Sequence, residues 1–170
     1  LIHIANGVVS SDSEKTIAER LVQLHSGILN LVRQFQPDEV AAEETFVNKN
    51  PESTLKLGLA RGAVLLAPAL SGIPVSEYAP NRVKKAVVGA GHANKNQVQV
   101  MVSNILPKIL ITNEDAADAL AVAICHAHFA QNPILMHQLS RNGELKQNTP
   151  KNQSRLKDLI DAALLKESSR

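Results

Sequence analysis

The run Val40-Ala-Ala-Glu-Glu-Thr-Phe-Val47 constrains the fold of this chain more than any other stretch. Pro37 precedes it and Asn48-Lys-Asn-Pro51 follows it, so it reads as a short buried strand running into a loop. Glu43 and Glu44 sit within it and Phe46 stands just beyond them. A carboxylate at the end of a buried strand is costly unless a cation compensates it. Whatever packs around this strand must therefore bring positive charge to Glu43. Side chains alternate along a strand, so Glu44 points away from Glu43, toward the surface or a supporting contact.

The rest of the chain supplies elements that could pack there. Residues 1–9 read as a strand with a kink near Asn6-Gly7. Ser11 and Glu14 form a capping box. Ile17, Leu21, Leu24, Ile28, Leu31 and Phe35 then recur as one apolar stripe on a long helix that ends at Gln36-Pro37. Asn50-Pro51 starts a second helix with Leu55, Leu59 and Leu66 on its core face. Gly58 and Gly62 on that helix each cost about 1 kcal/mol relative to Ala, which points to a close approach by another backbone. Ile73–Tyr78 is a short strand, Pro80–Val88 a helix presenting Arg82, Lys84 and Lys85, and Asn94 caps a further helix with Val98, Met101, Val102 and Ile105 inward. The last core helix spans about Asn113–Phe129. Ala117, Leu120 and Ile124 lie on one side of it; Asp115, Asp118, Val122 and His126 lie on the other. On that face His126 reads as a core or supporting group rather than a metal ligand. Strand, helix, strand and helix in one unit argue for an α/β layer fold.

Composition narrows the function classes. The net charge is only +2, but residues 80–108 hold Arg82, Lys84, Lys85, Lys95 and Lys108 with no acid. A basic block between two acidic clusters suits an enzyme that holds a phosphate backbone against a metal site; a solvated basic face is the plain alternative. No continuous apolar run has the roughly 20 residues that span a bilayer. The single cysteine, Cys125, excludes an internal disulfide and fits a reducing cytoplasm. Its apolar helical setting makes it an inert core residue. Beyond Gln131 the texture turns to Asn, Gln, Ser and Lys, so residues 131–153 read as a polar linker or disordered tail. Leu156, Leu159, Ile160, Ala163 and Leu164 mark a short amphipathic helix within 154–170.

Asp115 and Asp118 are three apart in the first turn of a helix and share a face. Acids there also favour the positive end of the helix dipole, which is their ordinary structural explanation. Brought together with Glu43 they would repel and raise one another's pKa unless a cation intervenes. All-oxygen ligation selects Mg²⁺ or Mn²⁺ over zinc. Two such ions at a scissile phosphate activate water and stabilise the leaving 3′ oxygen. The expectation is that Glu43, Asp115 and Asp118 meet in space around Mg²⁺.

Several segments in series resemble one family. Glu43-Glu-Thr-Phe46, Lys56-Leu-Gly-Leu-Ala-Arg-Gly62, Val83–Gly91, Lys95-Asn-Gln-Val-Gln99 and Asp115–Ala121 are similar, in order over roughly residues 1–130, to the RuvC Holliday-junction resolvases. The resemblance implies an RNase H-like fold: a mixed central sheet flanked by helices. It implies a homodimeric, Mg²⁺-dependent endonuclease with two ions per site. Such an enzyme resolves four-way DNA junctions by paired symmetric nicks, in recombination and repair, alongside the RuvA–RuvB branch-migration complex. It further implies that Glu43, Asp115 and Asp118 are catalytic carboxylates and metal ligands. Phe46 corresponds to an aromatic that stacks on junction bases, and Lys84 and Lys95 to residues that meet the DNA near the cut. The family pattern also has a first strand with Gly-x-Asp-Pro-Gly, whose Asp is a fourth catalytic carboxylate. That pattern does not occur in this sequence, so the expectation is an N-terminally truncated, catalytically incomplete domain. The alternatives are a junction-binding fragment without catalysis and another RNase H-like nuclease acting on RNA–DNA hybrids.

Overall fold

Residues 1–44, 50–111 and 113–130 are described by the structure, a computed structural model. Phe46, the polar segment 131–153 and the helix expected in 154–170 lie outside the described residues. The described elements are α1 (Ile17–Phe35), β1 (Val40–Glu43), α2 (Pro51–Leu70), β2 (Val75–Tyr78), α3 (Pro80–Val88), α4 (Lys95–Ile105) and α5 (Glu114–Ala130). The α/β class holds.

β1 and β2 pair in parallel, with Val40 opposite Val75 and Glu43 opposite Tyr78. The ladder continues at each end: the Val40 amide donates to the Pro74 carbonyl and the Glu44 amide to that of Tyr78. Pro74 lacks an amide hydrogen and is placed just before the strand, where none is required. These are the two strands among the described residues, so the antiparallel partner that a mixed sheet requires is not seen there. Residues 1–9 form no strand. Their alternating apolar residues have strand propensity but no paired edge, and Ile2 and Ile4 are 91% and 82% exposed. The segment is held instead by contacts with other parts of the chain. Asn6 donates to the Leu110 carbonyl, and Val9 packs so closely on α1 that a side chain at Gly27 would collide with it.

α1 begins later than the Ser11–Glu14 pattern suggests. Thr16 is the N-cap, and Thr16 and Glu19 form the reciprocal capping box. Ser11 accepts from Arg20 instead. The helix closes on Gln36 in the left-handed region, just before Pro37. α2 starts at Asn50-Pro51 as the sequence indicates. Its leucines do not face a core: Leu55, Leu59 and Leu66 are exposed, and a side chain added at Gly58 or Gly62 would meet open space. The close approach expected at those glycines is not there. By length and composition α2 could also cross a membrane. No unbroken apolar run betrays this, because Lys56 and Arg61 interrupt its leucines. In the fold it packs on α1 and touches β2.

The packed core lies around α5. Tyr78, Val83, Val87, Val98, Val102, Leu120, Ala121, Ile124 and Cys125 form one buried cluster. α3 and α4 lie on α5, and β1 runs along it. α3 ends at Gly89, whose φ of 83° lets the chain turn without the Cβ penalty other residues incur. α4 starts with the Asn94–Gln97 capping box.

Candidate active site

The C-terminal end of β1 meets the first turns of α4 and α5. A cavity of about 230 Å³ opens there, lined by Glu43, Lys84, Lys95 and Asp118 over a floor of Val83, Val98 and Ala121. Each polar side chain has a separate scaffold. Glu43 is the last residue of β1, and Lys84 is presented by α3, whose Val83 and Val87 are buried beneath it. Lys95 is the first residue of α4, fixed by the Asn94 cap. Asp118 lies on α5, whose start is capped by Asn113, which accepts from the Ala116 amide at 2.8 Å.

Charges on several elements act on Glu43 across the cavity. Crowding by surrounding protein raises the Glu43 pKa, and the Asp118 charge raises it further, with Lys84, Lys95 and Arg61 opposing. A carboxylate whose ionisation a neighbouring carboxylate disfavours is a place where a cation is favoured. Lys95 partly fills that role, standing 3.3 Å from Glu114 and 3.7 Å from Asp118. Its pKa is raised by the Glu114 hydrogen bond first and then by Asp118.

Of the expected carboxylates, the structure joins Glu43 and Asp118 and leaves Asp115 outside the cavity lining. Asp115 is exposed on the preceding turn of α5, within electrostatic reach of Lys95. Among the described residues no three His, Cys, Asp or Glu side chains stand together as a metal cluster. The donor set nonetheless fits a hard divalent ion. Mg²⁺ is held by one or two carboxylates and completed by water and phosphate oxygens.

Several supporting residues were not singled out from sequence. Arg61 reaches from α2 to the Glu43 carbonyl and to the Glu77 carboxylate of β2, clamping both strands behind the cavity. Arg61 interrupts the otherwise apolar stretch Leu57–Leu66, which was the available signal. The Tyr78 hydroxyl meets Nδ1 of His126 at 2.8 Å, and Nε2 of His126 meets Glu39 at 2.8 Å. His126, read from sequence as a core or supporting group, is largely buried and lies outside the cavity lining. Burial pushes the Tyr78 hydroxyl and the Cys125 thiol each up to about 12, so the thiol is inert, as its sequence setting indicated.

Residues 1–126 match the sequence model of a family described as crossover junction endodeoxyribonuclease RuvC. The chain belongs to the RuvC family. The RuvC of Paramagnetospirillum magneticum is 62% identical over 128 residues, 75% of this chain and 77% of that protein. The RuvC of Rhodospirillum rubrum is 59% identical over 141 residues, 83% of each chain. The Thermus thermophilus RuvC structure superposes with a TM-score of 0.68 at 39% identity, covering 75% of this chain and 78% of that one. The same protein solved with a Holliday junction substrate gives 0.70 at the same identity and coverage. The RNase H-like fold class implied by the sequence motifs is therefore the observed one.

Proposed function

We propose that this chain carries the catalytic face of a Holliday-junction resolvase, an endodeoxyribonuclease that nicks four-way DNA junctions in recombination and repair. The observation that carries the reading is the single cavity uniting Glu43, Asp118, Lys84 and Lys95 at a strand end. Membership of the RuvC family and the likeness to a RuvC bound to junction DNA support it.

Glu43 and Asp118 hold Mg²⁺, for which Mn²⁺ can substitute, and Asp115 joins them from the adjacent turn as ligand to a second ion. Bound divalent ions supply activation of the attacking water and charge stabilisation at the leaving 3′ oxygen. The protein's own contribution is to position the phosphate. Lys84 and Lys95 contact the backbone next to the carboxylates, and Lys95 exchanges Glu114 and Asp118 for phosphate as the DNA arrives. Phe46 follows Glu43 closely in sequence and stacks on a junction base. Symmetric nicking requires two such sites, so the working form is a homodimer. The RuvA–RuvB complex is its partner and the cytoplasm its compartment; family membership supports both.

Cleavage of a synthetic four-way junction with Mg²⁺, compared with an RNA–DNA hybrid and with binding alone, tests the reading. Paired nicks confined to the junction are expected when the fourth carboxylate of the family's Gly-x-Asp-Pro-Gly pattern is supplied together with this chain. Hybrid cleavage would make the chain a different RNase H-like nuclease, and tight junction binding with no cleavage would leave it a binding module.

A further inference from the structure

β1 and α5 run in opposite directions past each other, and two pairs of side chains span them. At one end Glu43 and Asp118 face the same cavity. At the other, Glu39 and His126 pair at 2.8 Å. Four residues separate Glu39 from Glu43 along an extended backbone, a span of about 13 Å. Eight residues separate Asp118 from His126 along the helix, a rise of about 12 Å. The two spans match, so a fixed contact at Glu39–His126 fixes the opposition of Glu43 and Asp118 at the far end.

The contact is built to be fixed. In the tautomer that carries its proton on Nε2, that N–H donates to the Glu39 carboxylate and Nδ1 accepts from the Tyr78 hydroxyl, with both contacts at 2.8 Å. Tyr78 is fully buried and stacks on Phe129 with ring centroids 5.7 Å apart. It also sits opposite Glu43 in the β1–β2 register. The chain Glu39–His126–Tyr78 therefore joins the foot of β1, the body of α5 and the end of β2.

We propose that Glu39, His126 and Tyr78 are positioning residues that hold the active-site carboxylates at their working separation. This deepens the resolvase reading and rests on it for its effect on cleavage, although the positional effect stands without it. None of the three reaches the cavity lining, so their loss acts through α5 and β1 and leaves the phosphate-binding lysines in place.

The test uses the full chain with His126→Ala, His126→Gln, Glu39→Ala and Tyr78→Phe. Three readouts are taken: Mn²⁺ affinity from the spectrum of the free ion, kcat and KM on a four-way junction, and the Glu43–Asp118 separation in crystal structures. For His126→Ala, Mn²⁺ affinity and kcat should each fall about 10- to 100-fold, the range seen when supporting partners of metal ligands are removed. KM should hardly move, and the carboxylates should separate. His126→Gln, whose amide can still donate to Glu39, should recover most of the loss. Tyr78→Phe, which leaves the Glu39–His126 contact, should lose least. Glu39 is half-exposed, so Glu39→Ala remains folded and gives the same answer if His126→Ala does not. Wild-type affinity, kcat and separation in a folded Glu39→Ala or His126→Ala protein would overturn the proposal. If the chain supplied with the fourth carboxylate cuts no junction, the functional reading fails, and the crystallographic separation still decides this one.

Discussion

Around α5 the large apolar side chains are buried, with Val102, Ile124 and Cys125 between 0% and 2% exposed. Along α2 they are not: Leu55, Leu59, Leu66 and Leu70 keep 65%, 43%, 42% and 69% of their surface. The two helices have similar apolar composition, so the difference lies in what packs against them. α5 is covered by α3, α4 and β1, whereas α2 lies on α1 and touches β2. The well-packed half is also the half that holds the cavity. A site that must keep two repelling carboxylates opposed needs rigid walls, and the α5 layer supplies them. The α1–α2 layer supplies a clamp, through Arg61, and leaves the leucines of α2 exposed on its outer surface.

The comparison breaks most directly by truncating one side chain on each side of it. Ile124→Ala should cost about 2–5 kcal/mol, while Leu70→Ala should stay within about 0.5 kcal/mol, both read from urea denaturation. Similar costs would mean that α2 contributes to the core as much as α5 does. Arg61→Met should cost about 1–3 kcal/mol, because it strands the Glu77 carboxylate and the Glu43 carbonyl. A neutral result would show that the outer layer does not brace the strands.

Glycines sharpen the contrast at a smaller scale. Gly58→Ala on the open face of α2 should stabilise by about 0.5–1 kcal/mol, whereas Gly27→Ala should destabilise, because Val9 occupies that space. Thermal midpoints moving the same way in both would contradict the packing described here. The smallest expected effect is on binding. Lys84→Ala should lower the salt slope of junction affinity by about one, and Lys85→Ala, outside the cavity lining, should lower it less.

Much of this was legible in sequence because the signals were local. The N-cap at Asn50 and the Asn94 cap, Pro74 just before β2 and Gly89 closing α3 each depend on neighbours a few residues away. The same locality explains the errors. Ser11–Glu14 and Thr16–Glu19 are both sound capping patterns, and only packing chooses between them. Residues 1–9 alternate like a strand, but pairing requires an edge that no single stretch reveals. Gly58 and Gly62 suggested an approach that depends on a neighbour's position. At the candidate site, motifs named Glu43, Asp118, Lys84 and Lys95, and the structure places these four around one cavity. The exclusion of Asp115 from the cavity and the Glu39–His126–Tyr78 chain depend on how α5 lies along β1, which periodicity does not encode.

Glu43 and Asp118 are the proposed carboxylates of a junction-cutting site. The most direct test of that assignment is Mg²⁺-dependent cleavage of a four-way junction by Glu43→Gln and Asp118→Asn, with junction affinity measured alongside. Each substitution keeps the side-chain shape and removes a charged metal ligand. Cleavage should be lost with junction affinity nearly unchanged, if junction binding rests on the phosphate contacts proposed for the lysines. Cleavage by either variant at the rate of the unaltered chain would contradict the assignment.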